Sequence, residues 1–170
     1  MNDKTQQTDG TDRFELTTEM KTEIDTWVAK FPAEKKQSAL LPALRIVQDE
    51  TRWLRNEQMD AVAAYLDLPK IAVYEVATFY SMYDLKPAGR HKIYVCTNIS
   101  CMLRGCGKIV EHLKERLCIG FGETTEDGRF SLKEAECLAA CTNAPMMQIN
   151  RDYHENLTPE KVDKILESLD

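Results

Sequence analysis

HKIYVCTNISCMLRGCGKIVEHLKERL, residues 91–117, is the stretch whose reading decides the fold. His91–Cys96 alternates like a half-buried strand. Residues 103–117 then place Ile109, Val110, Leu113 and Leu117 on one face of a helix. GETTEDG (122–128) reads as a loop and RFSLKEAE (129–136) as a second strand. Strand, helix and strand in that order make a βαβ unit.

The chain continues with Met146–Ile149, a turn at Asn150-Arg151-Asp152, and Tyr153–His154, which together predict a hairpin. Thr158 then stands as an N-cap with Pro159 at the first helical position. Val162, Ile165, Leu166 and Leu169 give this last helix an apolar stripe. The order β-α-β followed by β-β-α is that of a thioredoxin-like layer of sheet and helices.

Upstream the period changes. Ile24, Trp27, Val28 and Phe31 recur at helical spacing, and Pro32 ends that helix. Leu40, Leu41, Leu44 and Val47 mark a second helix, bent near its start by Pro42. Met59, Val62, Ala63 and Leu66 mark a third, with Asn56 as its N-cap. Pro69 opens a fourth, read over 69–83, with Val73, Val76, Ala77 and Tyr80 on one face. Lys86-Pro87-Ala88-Gly89-Arg90 punctuates the change of pattern. The fold class expected is therefore α+β, an N-terminal helical bundle followed by a thioredoxin-like α/β domain. Residues 1–15 read as a disordered tail, 16–85 as the bundle and 90–170 as the α/β domain.

The 170 residues carry a net charge of -6, with a sequence pI near 5.2. A nucleic-acid binder needs a basic patch to neutralise phosphates, so no nucleic-acid partner is expected. No apolar run reaches the ~20 residues that span a bilayer, so direct membrane insertion is not expected either. The first fifteen residues have neither an apolar core nor the Arg-rich character of a targeting segment, which points to the cytoplasm.

Four of the six cysteines form two tight pairs, Cys96 with Cys101 and Cys137 with Cys141. The pattern is C-x4-C, a gap of 35 residues, then C-x3-C. Both pairs fall on loops that an α/β layer can bring to one end of its sheet, near the surface. Soft thiolate donors suit zinc or an iron–sulfur cluster. In a two-iron cluster each iron takes two cysteines and two bridging sulfides, so longer spacers match its width. Spacing alone favours 2Fe-2S and leaves zinc, or no metal at all, as alternatives.

Cys106 and Cys118 stand at either end of the 103–117 helix and read first as small hydrophobes. His91, His112 and His154 read as surface or structural residues. Gly105-Cys106-Gly107-Lys108 is not a phosphate loop, because Met102 and Ile109 occupy the positions that need Gly and Ser or Thr. Glu134 and Glu136 place negative charge beside Cys137. The rings of Tyr74, Phe79, Tyr80 and Tyr83 fit either a partner surface or packing between the two parts of the chain. No residue is read as catalytic.

VYEVATFYSMY (73–83), CTNISCMLRG (96–105), GETTEDGRFSL (122–132) and ECLAACTNAP (136–145), in that order, closely resemble the E-subunit family of bacterial NADH-quinone oxidoreductase, a part of respiratory complex I. The likeness covers about residues 17–170. It implies one 2Fe-2S cluster with Cys96, Cys101, Cys137 and Cys141 as ligands. It implies an electron-transfer role in an oxidoreductase complex whose FMN and NADH sit on a partner F subunit, with other peripheral-arm subunits nearby. It also implies a cytoplasmic place, peripheral to the inner membrane through the complex. The related small subunit of an NAD-linked hydrogenase or formate dehydrogenase shares these motifs and is the alternative. A free ferredoxin-like carrier would not need the helical part, and a zinc module would have no redox role. The chain departs from the family pattern at Ala139, where Gly is expected, and at Cys106, where another small residue is usual. Ala139 is read as leaving room for a cluster, and Cys106 as a ligand only after rearrangement.

Overall fold

The computed structural model describes residues 14–169. The tail expected over 1–15 therefore lies almost wholly outside the described residues. The chain divides into two compact units, which part between Lys86 and Pro87.

The first unit is helical: α1 (Thr18–Val28), a 3-10 segment (Ala33–Ala39), α2 (Leu40–Thr51), α3 (Asn56–Leu66) and α4 (Lys70–Phe79). Thr17 caps α1 by accepting from the Met20 N–H at 3.2 Å. Ile24, Leu40, Leu44, Val47, Leu54, Val62, Leu66 and Val73 are buried together and form the unit's core.

Two expectations shift here. Asn56 is the first helical residue of α3, and Arg55 is its N-cap. The buried Gln58 decides this, because its Oε1 accepts from the Arg55 N–H at 2.7 Å and sets the helix start one residue earlier. The fourth helix stops at Phe79 instead of running to Tyr83, and Tyr80 is extended with ψ 120°. Gln48 of α2 holds the chain beyond it, donating to Met82 O at 3.0 Å and accepting from the Asp84 N–H at 2.6 Å. Tyr83 is buried there, and its hydroxyl donates to Leu41 O at 2.8 Å. Burial pushes its phenol up to about 12.

The second unit contains β1 (His91–Cys96), α5 (Ile99–Leu103), α6 (Cys106–Leu117), β2 (Glu123–Thr124), β3 (Phe130–Ala135), β4 (Met147–Ile149), β5 (Asp152–His154) and α7 (Pro159–Glu167). The sheet order is β2-β3-β1-β4-β5. β1 and β3 are parallel, with His91 opposite Phe130 and Cys96 opposite Ala135. The other neighbours are antiparallel. Among the described residues the class is α+β, with helices first and a mixed sheet after them.

The 103–117 helix begins at Cys106, not at residue 103. Gly105 has φ 85°, a left-handed step that ends one helix and starts another. The expected loop at 122–128 contains β2, a short strand that pairs antiparallel with β3. Thr158 caps α7 through the Lys161 N–H at 3.3 Å. Ile109 and Leu113 of α6, and Val162 and Leu166 of α7, pack on Ile93, Val95, Leu132, Met147 and Ile149 of the sheet. His112 Nε2 meets Asp163 Oδ1 at 2.9 Å, which ties α6 to α7.

Gly89 enters the sheet under close contact. Its N–H donates to the buried Ser131 Oγ at 2.7 Å. A Cβ at this position would lie 2.6 Å from the Phe130 carbonyl carbon and 2.8 Å from the Ser131 nitrogen.

Candidate metal centre

Parallel pairing ends β1 and β3 at the same edge of the sheet. Cys96 is the last residue of β1, and Cys137 follows two residues after Ala135, its strand neighbour. Both cysteine loops therefore leave the sheet side by side. The Thr97 N–H donates to Ala135 O at 3.1 Å, and the Thr97 hydroxyl donates to Glu134 Oε1 at 2.8 Å. These bonds join the start of the first loop to the end of β3.

Cys96 is held by its own N–H, which donates to Met146 O at 3.2 Å. Asn98 then caps α5, a helix of five residues that contains Cys101. Cys101 therefore sits inside a short helix, where a loop was expected. Gly105 breaks the chain again, and Cys106 begins α6. Cys96, Cys101 and Cys106 are all buried, and they form a small cluster with Ala144 and Met146. Leu138 and Ala140 of the second cysteine loop pack against this cluster.

Cys137 and Cys141 themselves are exposed. The Ala139 N–H donates to Cys137 Sγ at 3.4 Å. Ala139 makes this contact from a left-handed conformation with φ 60°. The constraint at this position is therefore on the backbone more than on volume, because a Cβ is disfavoured at positive φ whatever the space around it.

The thiols differ in electrostatics as well as in burial. Desolvation pushes the Cys101 thiol up to about 11, the neighbouring Cys96 adds to the rise, and the Met146 backbone N–H opposes it. Burial also raises Cys106, helped by the negative character of Cys96 and Glu134. Metal binding needs deprotonated sulfur, so loading this site releases protons.

The structure thus brings Cys96 and Cys101 into one dry cluster and lays the Cys137–Cys141 loop on top of it. Among the described residues no three His, Cys, Asp or Glu side chains are grouped to hold one metal ion. The donor chemistry fits an iron–sulfur group: four soft sulfurs, arranged as one pair on each of two adjoining loops. Sequence reasoning missed Met146, whose carbonyl and N–H both serve the first pair; no residue type marks that role. Cys118, read as a small hydrophobe, is exposed at the end of α6, with its Sγ 3.5 Å from Glu115 O.

Residues 24–170 match the thioredoxin-like 2Fe-2S ferredoxin family. The chain belongs to this family. Among curated relatives, the E subunit of NADH-quinone oxidoreductase from Rickettsia bellii is 48% identical over 143 residues, covering 84% of this chain and 86% of the relative. The corresponding E subunit from Rickettsia prowazekii is 44% identical over 144 residues, covering 84% of this chain and 81% of that one. NADH dehydrogenase (ubiquinone) flavoprotein 2 of Dictyostelium discoideum is 41% identical over 157 residues, covering 92% of this chain and 64% of the relative. A solved NAD+-reducing NiFe-hydrogenase in the air-oxidized state shares the fold, with a TM-score of 0.68 and 23% identity over 75% of this chain and 22% of its own. The cofactor of a thioredoxin-like 2Fe-2S ferredoxin is one 2Fe-2S cluster, and the paired thiols of this chain suit it. No helix among the described residues is long and apolar enough to cross a membrane.

Proposed function

We propose that this chain is the electron-transfer subunit of an NADH-quinone oxidoreductase. Cys96, Cys101, Cys137 and Cys141 hold one 2Fe-2S cluster, and a partner flavoprotein subunit carries FMN and binds NADH. One observation carries the ligand assignment: the parallel register of β1 and β3 delivers both cysteine pairs to one edge of the sheet. The parent complex rests on the 48% identity to an E subunit of that enzyme over 84% of the chain.

When bound, the cluster supplies one-electron redox chemistry. Hydride removal from NADH needs a two-electron acceptor, and the chain has no glycine-rich nucleotide motif, so that step belongs to the flavoprotein. The residues of this chain set the surroundings. Burial of Cys96 and Cys101 keeps water from one side of the site. The Met146 and Ala139 N–H groups point at sulfur and favour its negative charge. Ile99, Met102 and Leu103 are 66%, 57% and 77% exposed on α5 around the buried Cys101. Electron transfer requires the flavoprotein to lie close to the cluster, and this apolar face is where it seats. The helical unit, 16–85, serves attachment to the complex, and 90–170 carries the cluster. The chain then works on the cytoplasmic side, peripheral to the membrane, and touches neither nucleic acid nor lipid.

The test is iron and acid-labile sulfide analysis of the purified full chain, with EPR before and after dithionite. An oxidised sample without signal that gains one S = 1/2 signal on reduction supports the assignment, and Cys137→Ala should abolish it. Zinc in place of iron, or an unchanged signal in Cys137→Ala, refutes it.

A further inference from the structure

Phe130, Leu132 and Glu134 alternate on one face of β3. The first two lie in the core of the sheet with Ile93 and Val95 of β1. Glu134 stands opposite Val95 and ends that apolar row with a carboxylate.

The carboxylate is held in place. Its Oε1 accepts from the Thr97 hydroxyl at 2.8 Å, and Thr97 is the residue after Cys96. The Thr97 N–H is itself tied to Ala135 O at 3.1 Å, so the hydroxyl is presented from a fixed backbone. Among the described residues no Lys, Arg or His lies within ion-pair distance of Glu134. Its charge is therefore met by no cation there, and it is pinned at the sheet edge from which both cysteine loops leave. Glu136 is exposed beside Cys137 but makes no hydrogen bond or ion pair among the described residues, so its charge turns freely into water.

We propose that Glu134, aimed by Thr97, sets the reduction potential of the site. A 2Fe-2S group held by four thiolates becomes one charge more negative on reduction. A fixed carboxylate beside it repels that added charge and favours the oxidised form. It opposes the Met146 and Ala139 N–H groups, which favour negative sulfur. Glu134 and Thr97 act through the field at the site and are positioning residues, not ligands. The proposal rests on the ligand assignment above.

The test is an EPR-monitored redox titration, at one fixed pH, of the full chain loaded with its cluster. Cys137→Ala checks the ligand assignment separately: a surviving signal refutes it and this proposal with it. Glu134→Gln keeps an acceptor for Thr97 and removes the charge. It should favour the reduced form about two- to fivefold, the range of exposed charge pairs, which is about 20–40 mV upward at about 59 mV per decade. The shift should shrink between about 0.01 and 1 M salt, as the screening length falls from about 30 to 3 Å. Thr97→Val frees the carboxylate and should move the potential the same way by less, whereas Thr97→Ser should keep the wild-type value. Adding Thr97→Val to Glu134→Gln should change nothing further, because no charge is left to aim. An unchanged potential in folded, loaded Glu134→Gln overturns the proposal. So does a shift insensitive to salt, an equal shift in Glu136→Gln, or additive shifts in the double variant, which would mark a merely structural role for Thr97.

Discussion

Replacing Ala139 with glycine is expected to stabilise the second cysteine loop. Ala139 sits at φ 60° and is exposed, so its Cβ gains no core packing and bears a backbone penalty. The left-handed conformation costs a residue with a Cβ about 1–2 kcal/mol, and glycine is spared most of that. Glycine is also freer in the unfolded chain, which returns about 0.4–1 kcal/mol. The net gain is about 0.5–1 kcal/mol, which at an ordinary urea dependence of about 2 kcal/mol per molar moves the midpoint up by about 0.3–0.5 M. The N–H to Cys137 Sγ contact survives because glycine keeps the donor. The assay is urea unfolding of the metal-free chain followed by circular dichroism. Trp27 and Trp53 both lie in the first unit, so tryptophan fluorescence serves as an internal reference for that unit. Ala139→Val should move the midpoint the other way, since a β-branched residue fits positive φ worse still. A midpoint unchanged or lowered by glycine, or the same response to glycine and valine, would refute the backbone argument.

Two further outcomes follow from contacts away from the cysteines. Gly89→Ala should destabilise the second unit by about 1–3 kcal/mol, because the new methyl group meets β3 backbone that has no side chain to swing aside; circular dichroism melting checks this. Tyr83 is pushed up to about 12 by burial, above its ordinary value near 10. The folded state therefore holds the phenol proton more tightly than the unfolded state does. The stability from this difference is complete below pH 10 and is lost as pH rises toward 12. Tyr83→Phe should cost about 1 kcal/mol at neutral pH through the lost bond to Leu41 O, and should show a shallower alkaline decline by tryptophan fluorescence. An equal decline in both proteins would contradict the burial argument.

Much of the secondary structure was legible because it rests on local rules. Helical periodicity located α1 to α4, and Thr158-Pro159 marked the start of α7. The misplaced boundaries share one cause, a contact from elsewhere in the chain or a backbone angle that residue type does not announce. Gln58 moved the start of α3, and Gln48 with the buried Tyr83 held the chain that follows α4. Gly105 split the helix read over 103–117, since a glycine in a helical pattern does not reveal its φ until the fold is closed. The tight spacing of Cys96 with Cys101 and of Cys137 with Cys141 needed no structure to be seen, nor did the likeness of four ordered segments to a known family.

What the sequence determined by itself is the chemistry available: two pairs of soft thiol donors, an α+β order of elements, and an acidic chain without a membrane-spanning run. Tertiary structure decided where that chemistry lies and how the sulfurs differ. Parallel register placed both loops at one edge of the sheet. Packing on Ala144 and Met146 buried Cys96, Cys101 and Cys106 and left Cys137 and Cys141 exposed. The physical reason is that spacing along a chain constrains only neighbours within a turn or two. Burial, sulfur charge and the approach of a loop 35 residues away depend on how strands pair and helices pack.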